Sequence, residues 1–283
     1  MIEGIFGNLR VGDEYPARII GIVNLSNASF YKNSIASSSS ELEKTVLRMI
    51  QEGADGIDIG AQSTRPRQIY GGEGRVDENQ ELELVKEALK VTFDILSSYD
   101  EIALSVDTTR KSVAEYSLNA GVKIINDISG FKKEIEMAKS IAEFGASAVL
   151  MACKSEPGDV FEIVDILFEL KKSVLIGTNA GIEKQKICID PGIGSWEARD
   201  YKHDYSIIKN LKQFRTLESP IYVGISRKTS IGKIFYDAPP EERLYGSLGA
   251  SIIALLNGAH IFRTHDVKPT LEAVRAAETI INY

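Results

Sequence analysis

The sequence predicts a (β/α)8 barrel, and three observations lead there. Four well-separated segments each finish an apolar, β-branched run with a polar residue: Asp107 after Ile102-Ala103-Leu104-Ser105-Val106, Asn126 after Ile124-Ile125, Asp190 after Ile187-Cys188-Ile189, and Arg263 after Ile261-Phe262. In a (β/α)8 barrel the loops after the strands share one face, so residues ending different strands converge on one pocket. Strand patterns also alternate with helical patterns without a break in composition, which points to a parallel sheet. Finally, the segment 19–24 runs on into Leu25-Ser26-Asn27-Ala28. An open doubly wound sheet would carry Gly-x-Gly-x-x-Gly at that point.

In chain order the strands are expected at 19–24, 56–60, 103–107, 123–126, 148–152, 187–190, 221–225 and 260–263. They are short and continuously apolar, as strands covered by helices outside and packed side chains within should be. Between them lie apolar residues at helical spacing, such as Leu82, Val85, Leu89 and Ile95, or Ile163, Ile166, Leu167 and Leu170. A mostly apolar helix over 246–257 suits either the barrel exterior or a homodimer face. Long segments follow the first two strands. Residues 26–40 are rich in Ser and Asn, and 63–74 carry Arg65-Pro66-Arg67 and Gly71-Gly72-Glu73-Gly74. Long loops on this face of a barrel are usually functional, although 34–40 also read as a solvated insertion.

Residues 1–283 are therefore expected to form one domain, within the size that α/β barrels commonly reach. A hydrophobic content of 43% with 26% charged residues fits a soluble chain with a sizeable core. The sequence holds no apolar run of the roughly 20 residues a membrane span needs, and Met1-Ile2-Glu3-Gly4 lacks a basic signal start, so the expected compartment is the cytoplasm. A formal net charge of −7 argues against a broad nucleic-acid surface. A local cationic cluster for a small anionic substrate stays compatible with it. Cys153 and Cys188 lie in or beside apolar runs, where buried free thiols are expected.

Seven strings give the chain a family likeness. They are Gly53-Ala54-Asp55-Gly56-Ile57-Asp58-Ile59-Gly60, then Ser63-Thr64-Arg65-Pro66, Ser105-Val106-Asp107-Thr108, Ile125-Asn126-Asp127-Ile128-Ser129-Gly130, Asp190-Pro191-Gly192-Ile193-Gly194, Gly224-Ile225-Ser226-Arg227-Lys228 and Arg263-Thr264-His265-Asp266-Val267. Together, and in order, they resemble dihydropteroate synthase from about Ile19 to the C-terminus. Any one string is weak evidence; seven in sequence are strong.

The residue types suit a flat nitrogen heterocycle carrying an anionic tail. A carboxylate accepts a pair of ring N–H groups in a bidentate bond, which suits Asp107 and Asp190. Asn126 both donates and accepts, and Lys228 supplies a point charge for a ring carbonyl or nitrogen. The resemblance implies that these four form a pterin pocket. It further implies that Arg263 and His265 receive the diphosphate of a pterin ester, where barrels often place phosphate sites. Asn24 stands near that diphosphate and its Mg2+, an ion that leans on substrate phosphates and needs few protein ligands. Ser63, Thr64 and Arg65 resemble the loop that frames the arylamine, and Ser226 the group near its carboxylate. The implied reaction loses pyrophosphate from the pterin methylene and adds an arylamine such as 4-aminobenzoate, with Arg65, Lys228, Arg263 and His265 as candidate catalytic groups. Asp58 points away from Ile57 and Ile59 and reads either as a ligand or as a buried structural carboxylate; Asp127 is open in the same way. Asp266 or Thr270 is expected to cap the last helix, and His203 and His260 are expected bystanders.

Departures fall in the loops. The family's Asn-x-Thr-Pro-Asp-Ser-Phe-Ser-Asp-Gly reads here Asn24-Leu25-Ser26-Asn27-Ala28-Ser29-Phe30-Tyr31-Lys32-Asn33. Gln62 replaces the usual Glu, Ala152 a common His, and Ser195-Trp196 a Phe-Gly pair. These changes touch the acceptor side more than the donor side. Three readings follow: a dihydropteroate synthase, including one that takes a larger aminobenzene; a pterin-dependent methyltransferase; and a non-catalytic pterin-binding paralogue. The pairings around Lys228 and Arg263 favour the first, because a methyl donor has no diphosphate to expel.

Overall fold

Strands β3 (Arg18–Asn24), β4 (Gly56–Gly60), β5 (Ala103–Asp107), β6 (Ile124–Asp127), β7 (Ser147–Met151), β8 (Ile187–Asp190), β9 (Tyr222–Val223) and β10 (Ile261–Thr264) pair in parallel, in the order β8-β7-β6-β5-β4-β3-β10-β9. The ring closes between β8 and β9 through a parallel bridge of Ile189 with Ile221, and the Ile189 N–H donates to the Pro220 carbonyl at 2.9 Å. This computed structural model describes residues 1–25, 38–61, 76–194 and 200–282. Every expected strand is present, with most bounds shifted by a residue or less. The seventh is the exception, shrinking from 221–225 to Tyr222–Val223. Pro220 has no N–H for the ladder, and the chain beyond Val223 turns into the Lys228 loop.

The helices described are α1 (Ser39–Gln51), α2 (Glu78–Leu96), α3 (Lys111–Ala120), α4 (Met137–Glu143), α5 (Ile163–Asn179), α6 (Tyr201–Lys209), α7 (Thr229–Ile234), α8 (Leu244–Leu256) and α9 (Val267–Ile281). Helix α2 shows why they form where they do. Asp77 and Gln80 make a reciprocal capping box, each side chain accepting from the other's backbone N–H at 2.9 and 3.0 Å. Val85, Ala88, Leu89 and Thr92 then bury one stripe. That stripe belongs to the outer core, in which Ile57, Ile59 and Val106 of the strands pack with Val46, Met49 and Leu89 of the helices. None of the described helices is long and apolar enough to cross a membrane.

Alternation along each strand sends the remaining residues inward. The lower lumen is apolar, built from Ile20, Ala103, Ile124, Val149, Cys188, Tyr222 and Ile261. It is stoppered by an element the sequence reading did not anticipate, a hairpin of β1 (Glu3–Phe6) and β2 (Leu9–Gly12) whose Phe6 and Val11 complete this cluster. The Gly7-Asn8 turn was its available signal, and Gly7 takes the φ of +64° that such a turn favours in glycine. Ser147 locks the hairpin in place by accepting from the Gly7 N–H at 3.1 Å and donating to the Ile5 carbonyl at 2.9 Å. Both cysteines are buried free thiols, and desolvation raises each pKa to about 12.

His260 belongs to this lower end. Its Nδ1 accepts from the Ile221 N–H at 3.0 Å, which places the ring proton on Nε2, facing Asp13 at 3.2 Å. Asp13 also takes a bidentate pair from Arg215 at 2.8 and 2.9 Å. The expected bystander is therefore a structural tie between the hairpin and the closing strand.

Candidate active site

Register sets the rim of the lumen. Asn24 lies opposite Gly60, Gly60 opposite Asp107, and Asp107 opposite Asn126, so four consecutive strands bring these residues side by side at the open end. One inward layer below them sits Asp58, fully buried. It accepts from Ser105 Oγ, from Asn126 Nδ2 at 3.2 Å and from Arg263 Nε at 2.5 Å, while Arg263 Nη2 reaches Asp107 at 3.1 Å. Of the two readings open for Asp58, the geometry gives the structural one: it is the node joining Asn126 and Arg263.

This node orients its neighbours. With its NH2 given to Asp58, Asn126 keeps Oδ1 as an acceptor, and that atom is buried without a hydrogen-bond partner. A buried acceptor left unmatched costs about 1–3 kcal/mol, so a donor supplied by a ligand would recover that cost. Space is present as well. Val223 and Ile225 belong to the outer core, so Gly224 between them faces inward, and a Cβ built there would meet nothing within 4 Å.

Charge in the lumen is concentrated and poorly solvated. Burial raises the Asp107 pKa to about 7; Arg263 opposes that rise, and Asp58, Glu81 and Asp127 add to it. Burial would lower the Arg263 pKa, but Asp58 and Asp107 more than compensate, so its guanidinium stays charged. Lys228 has its pKa lowered by burial and by Arg263, against the pull of Asp190, Asp204 and Asp107. His265 falls well below the ordinary value through burial and the charges of Arg263, Lys228 and Arg227. Its backbone N–H donates to Ser226 Oγ at 3.2 Å, and that hydroxyl lies 3.0 Å from Nδ1. The hydroxyl proton then points to Nδ1, leaving a neutral ring with its hydrogen on Nε2. Ser226, expected near a substrate carboxylate, thus spends its hydroxyl on His265.

Other expectations are redistributed by the structure. Asp266 stands at the start of α9 but makes no side-chain cap. Its carboxylate instead pairs with Arg227 Nε and Nη2 at 2.7 Å each. Thr270 pairs with Thr264 Oγ1 at 3.0 Å and does not cap either. Arg227, overlooked as a chemical residue, holds a left-handed φ of +55° and also donates to the Pro240 and Glu241 carbonyls at 2.6 and 3.0 Å. It fixes the backbone that presents Lys228. Asp127 accepts from the Ser129 and Phe131 N–H groups at 2.8 and 2.7 Å and so builds its own turn. His203 lies on α6 with its ring edge-on to Phe161. Ser63, Thr64 and Arg65 lie outside the described residues, as do Gln62, Ser195 and Trp196.

Asp190 ends β8 with Oδ1 accepting from the Gly192 N–H at 2.7 Å. One carboxylate oxygen thus shapes the loop, which separates two roles by mutation. Asp190→Ala is expected to weaken pterin binding by roughly 1–3 kcal/mol, about 5- to 150-fold, by stranding ring donors. Asp190→Asn keeps the loop acceptor but loses the charge, and should fall between wild type and Ala in a calorimetric titration. Near-normal affinity in the Ala variant would reject Asp190 as a ring ligand.

Residues 20–265 match the family of pterin binding enzymes. The barrel and its charged lumen define an enzyme of that class. Dihydropteroate synthase of Clostridium beijerinckii is 34% identical over 264 residues, covering 93% of this chain and 94% of that protein. Dihydropteroate synthase from Coxiella burnetii, solved in complex with pteroic acid, superposes with a TM-score of 0.84 at 30% identity, covering 99% of this chain and 98% of that one. The Xanthomonas albilineans enzyme, solved with 4-aminobenzoic acid, gives 0.82 at 29% identity, covering 95% and 94%. The chain belongs to the dihydropteroate synthase family, and it is a transferase.

Proposed function

We propose that this chain joins a dihydropterin methyl diphosphate to 4-aminobenzoate or a related aminobenzene, releasing pyrophosphate. The observation that carries this reading is the Asp107–Arg263–Asp58–Asn126 network at the lumen mouth, with an unpartnered Asn126 acceptor and open space at Gly224 beside it. Asp107, Asn126, Asp190 and Lys228 would hold the ring by its edge. Arg263 and the neutral His265 would meet the diphosphate, one as a fixed charge and the other as an N–H donor. Arg65, with Ser63 and Thr64, would complete the arylamine side. No covalent nucleophile is needed, because the departing diphosphate leaves a resonance-stabilised cation that the amine captures; alignment and charge stabilisation supply the rate.

Mg2+ fits this arrangement through Asn24. Its place on the rim beside Gly60 and Asp107 allows one amide oxygen to be lent to an ion held mainly by substrate phosphates. Among the described residues no group of three His, Cys, Asp or Glu side chains is gathered for a tighter metal site. When bound, the ion would offset the charge that builds on the leaving diphosphate.

We place the enzyme in the cytoplasm, where the buried thiols of Cys153 and Cys188 would stay reduced. A second copy of the chain is the partner we propose for α8 and the turn that follows α7, whose surfaces expose Tyr245, Ile253 and Leu256, and Phe235 and Tyr236, respectively. Sedimentation equilibrium decides that point. The function itself is tested by incubating the protein with the dihydropterin diphosphate, Mg2+ and either 4-aminobenzoate or larger aminobenzenes. Pyrophosphate and a coupled product in equal amounts support the reading. Methyl transfer from a methylated pterin, or pterin binding without pyrophosphate release, overturns it.

A further inference from the structure

Tyr222 is one of the largest side chains fully buried in the barrel, yet its hydroxyl has no hydrogen-bond partner. The ring is confined from below by Phe6, with centroids 6.2 Å apart, and it shares the apolar floor with Ile20, Ile124 and Ile261. A floor of that kind calls for Phe or Leu. Tyr222 lies opposite Ile261 in the β9–β10 ladder, and Arg263 is the next inward residue along β10. The phenol therefore stands on the strand beside Arg263 and one layer beneath it. The strong upward shift of its pKa, caused first by burial and then by Asp58, with Arg263 opposing, agrees with an oxygen close to that pair.

Arg263 faces a conflict of its own. One of its donors is committed to Asp107, and the proposed reading requires Asp107 to accept from the pterin ring. A ring that draws on both Asp107 oxygens competes with Arg263 for the shared Oδ2 and loosens that bond, and a guanidinium N–H loosened in this way needs another acceptor inside a desolvated lumen. We infer that Tyr222 is a positioning residue for the pterin pocket, its hydroxyl oxygen accepting the Arg263 N–H once the ligand has claimed Asp107. The hydroxyl unmatched in the free protein becomes matched in the complex, and Arg263 keeps its place on Asp58 with a second acceptor in hand. This inference rests on the pterin reading of the pocket.

Tyr222→Phe removes one oxygen and leaves the floor filled. Three measurements test the idea on the full chain: thermal midpoint without ligand, affinity for 6-hydroxymethyl-7,8-dihydropterin, and KM against kcat with the diphosphate ester. The free variant is expected to melt at or above the wild-type midpoint, because an unmatched buried hydroxyl has gone. Its pterin affinity should fall about tenfold, the loss expected of one hydrogen bond to a charged group, and the KM for the pterin ester should rise while that for the arylamine stays put. Wild-type affinity in the variant overturns the assignment. So does a lowered midpoint in the free protein with matching losses for both substrates, since that marks a residue needed only for packing. A wild-type protein that binds no dihydropterin overturns the pterin reading itself and this inference with it.

Discussion

Arg263→Ala is expected to lose about 3–5 kcal/mol of folding stability in mild alkali, besides its activity with the diphosphate ester. The side chain lies between Asp58, which is fully buried, and Asp107, 12% exposed. Removing the cation leaves two carboxylates in a desolvated lumen, and breaking a buried pair from one side typically costs that much. The pH dependence carries the sharper test. Asp107 already has its folded-state pKa raised to about 7, with Arg263 holding it down. Without the arginine it rises further from the unfolded value of about 3.9. A group with a raised folded-state pKa contributes fully below the unfolded value, and that contribution is lost as pH climbs through the folded one. The deficit that Asp107 contributes to Arg263→Ala against wild type should therefore be small from pH 4 to about 7, where the carboxyl is protonated in both folded proteins, and grow above that to a plateau in alkali. Urea unfolding at several pH values measures it, and a deficit independent of pH would show that the Asp107 carboxylate is not the cause.

Gly224→Val should act in the opposite manner, sparing the fold while closing the pocket. A Cβ at Gly224 meets no atom within 4 Å, and Gly224 is not among the glycines of positive φ. Stability is therefore expected to stay within about 0.5 kcal/mol of wild type, as for substitutions that disturb no packed neighbour. The three added carbons would occupy the space assigned to the ring. Forcing a ligand against such atoms costs about 1–3 kcal/mol by the measure of overpacked cores, or about 5- to 150-fold in affinity. Gly224→Ala should show a smaller loss in the same direction. Unaltered binding in the Val variant would move the ring elsewhere in the lumen.

Much of the barrel was legible because strands buried on both sides are continuous apolar runs, and these stand out between amphipathic stretches. Strand ends were less legible, as the short β9 shows: whether Ile221 or Gly224 joins a ladder depends on the neighbouring strands. The polar residues that end strands were visible one at a time. Their connection through Asp58 was not, because the bond from Arg263 spans 205 positions and exists only once the ring closes. Alternation with Ile57 and Ile59 put Asp58 inside the barrel but could not name its partners. Local rules misassigned Asp266: a carboxylate just before a helix suggests a cap, yet a bidentate guanidinium 39 positions away holds it instead. Tyr222 and Gly224 were hidden for a different reason. An aromatic or a glycine in a strand is ordinary, and only three dimensions reveal that one has an unmatched oxygen and the other an empty volume beside it.

The hairpin at the base sets an order of events during synthesis. Its strands are made before the partners that hold them: Gly7 is anchored to Ser147, 140 positions later, and Phe6 rests on Tyr222. The hairpin must therefore wait, with the buried faces of Phe6 and Val11 uncovered, until the strand that carries Tyr222 has been made to receive it. Contacts so distant in the chain are slow to form and leave hydrophobic surface open to mispairing meanwhile. Assembly of this barrel is thus a closing operation, in which a hairpin made before its partners is among the last pieces to be seated.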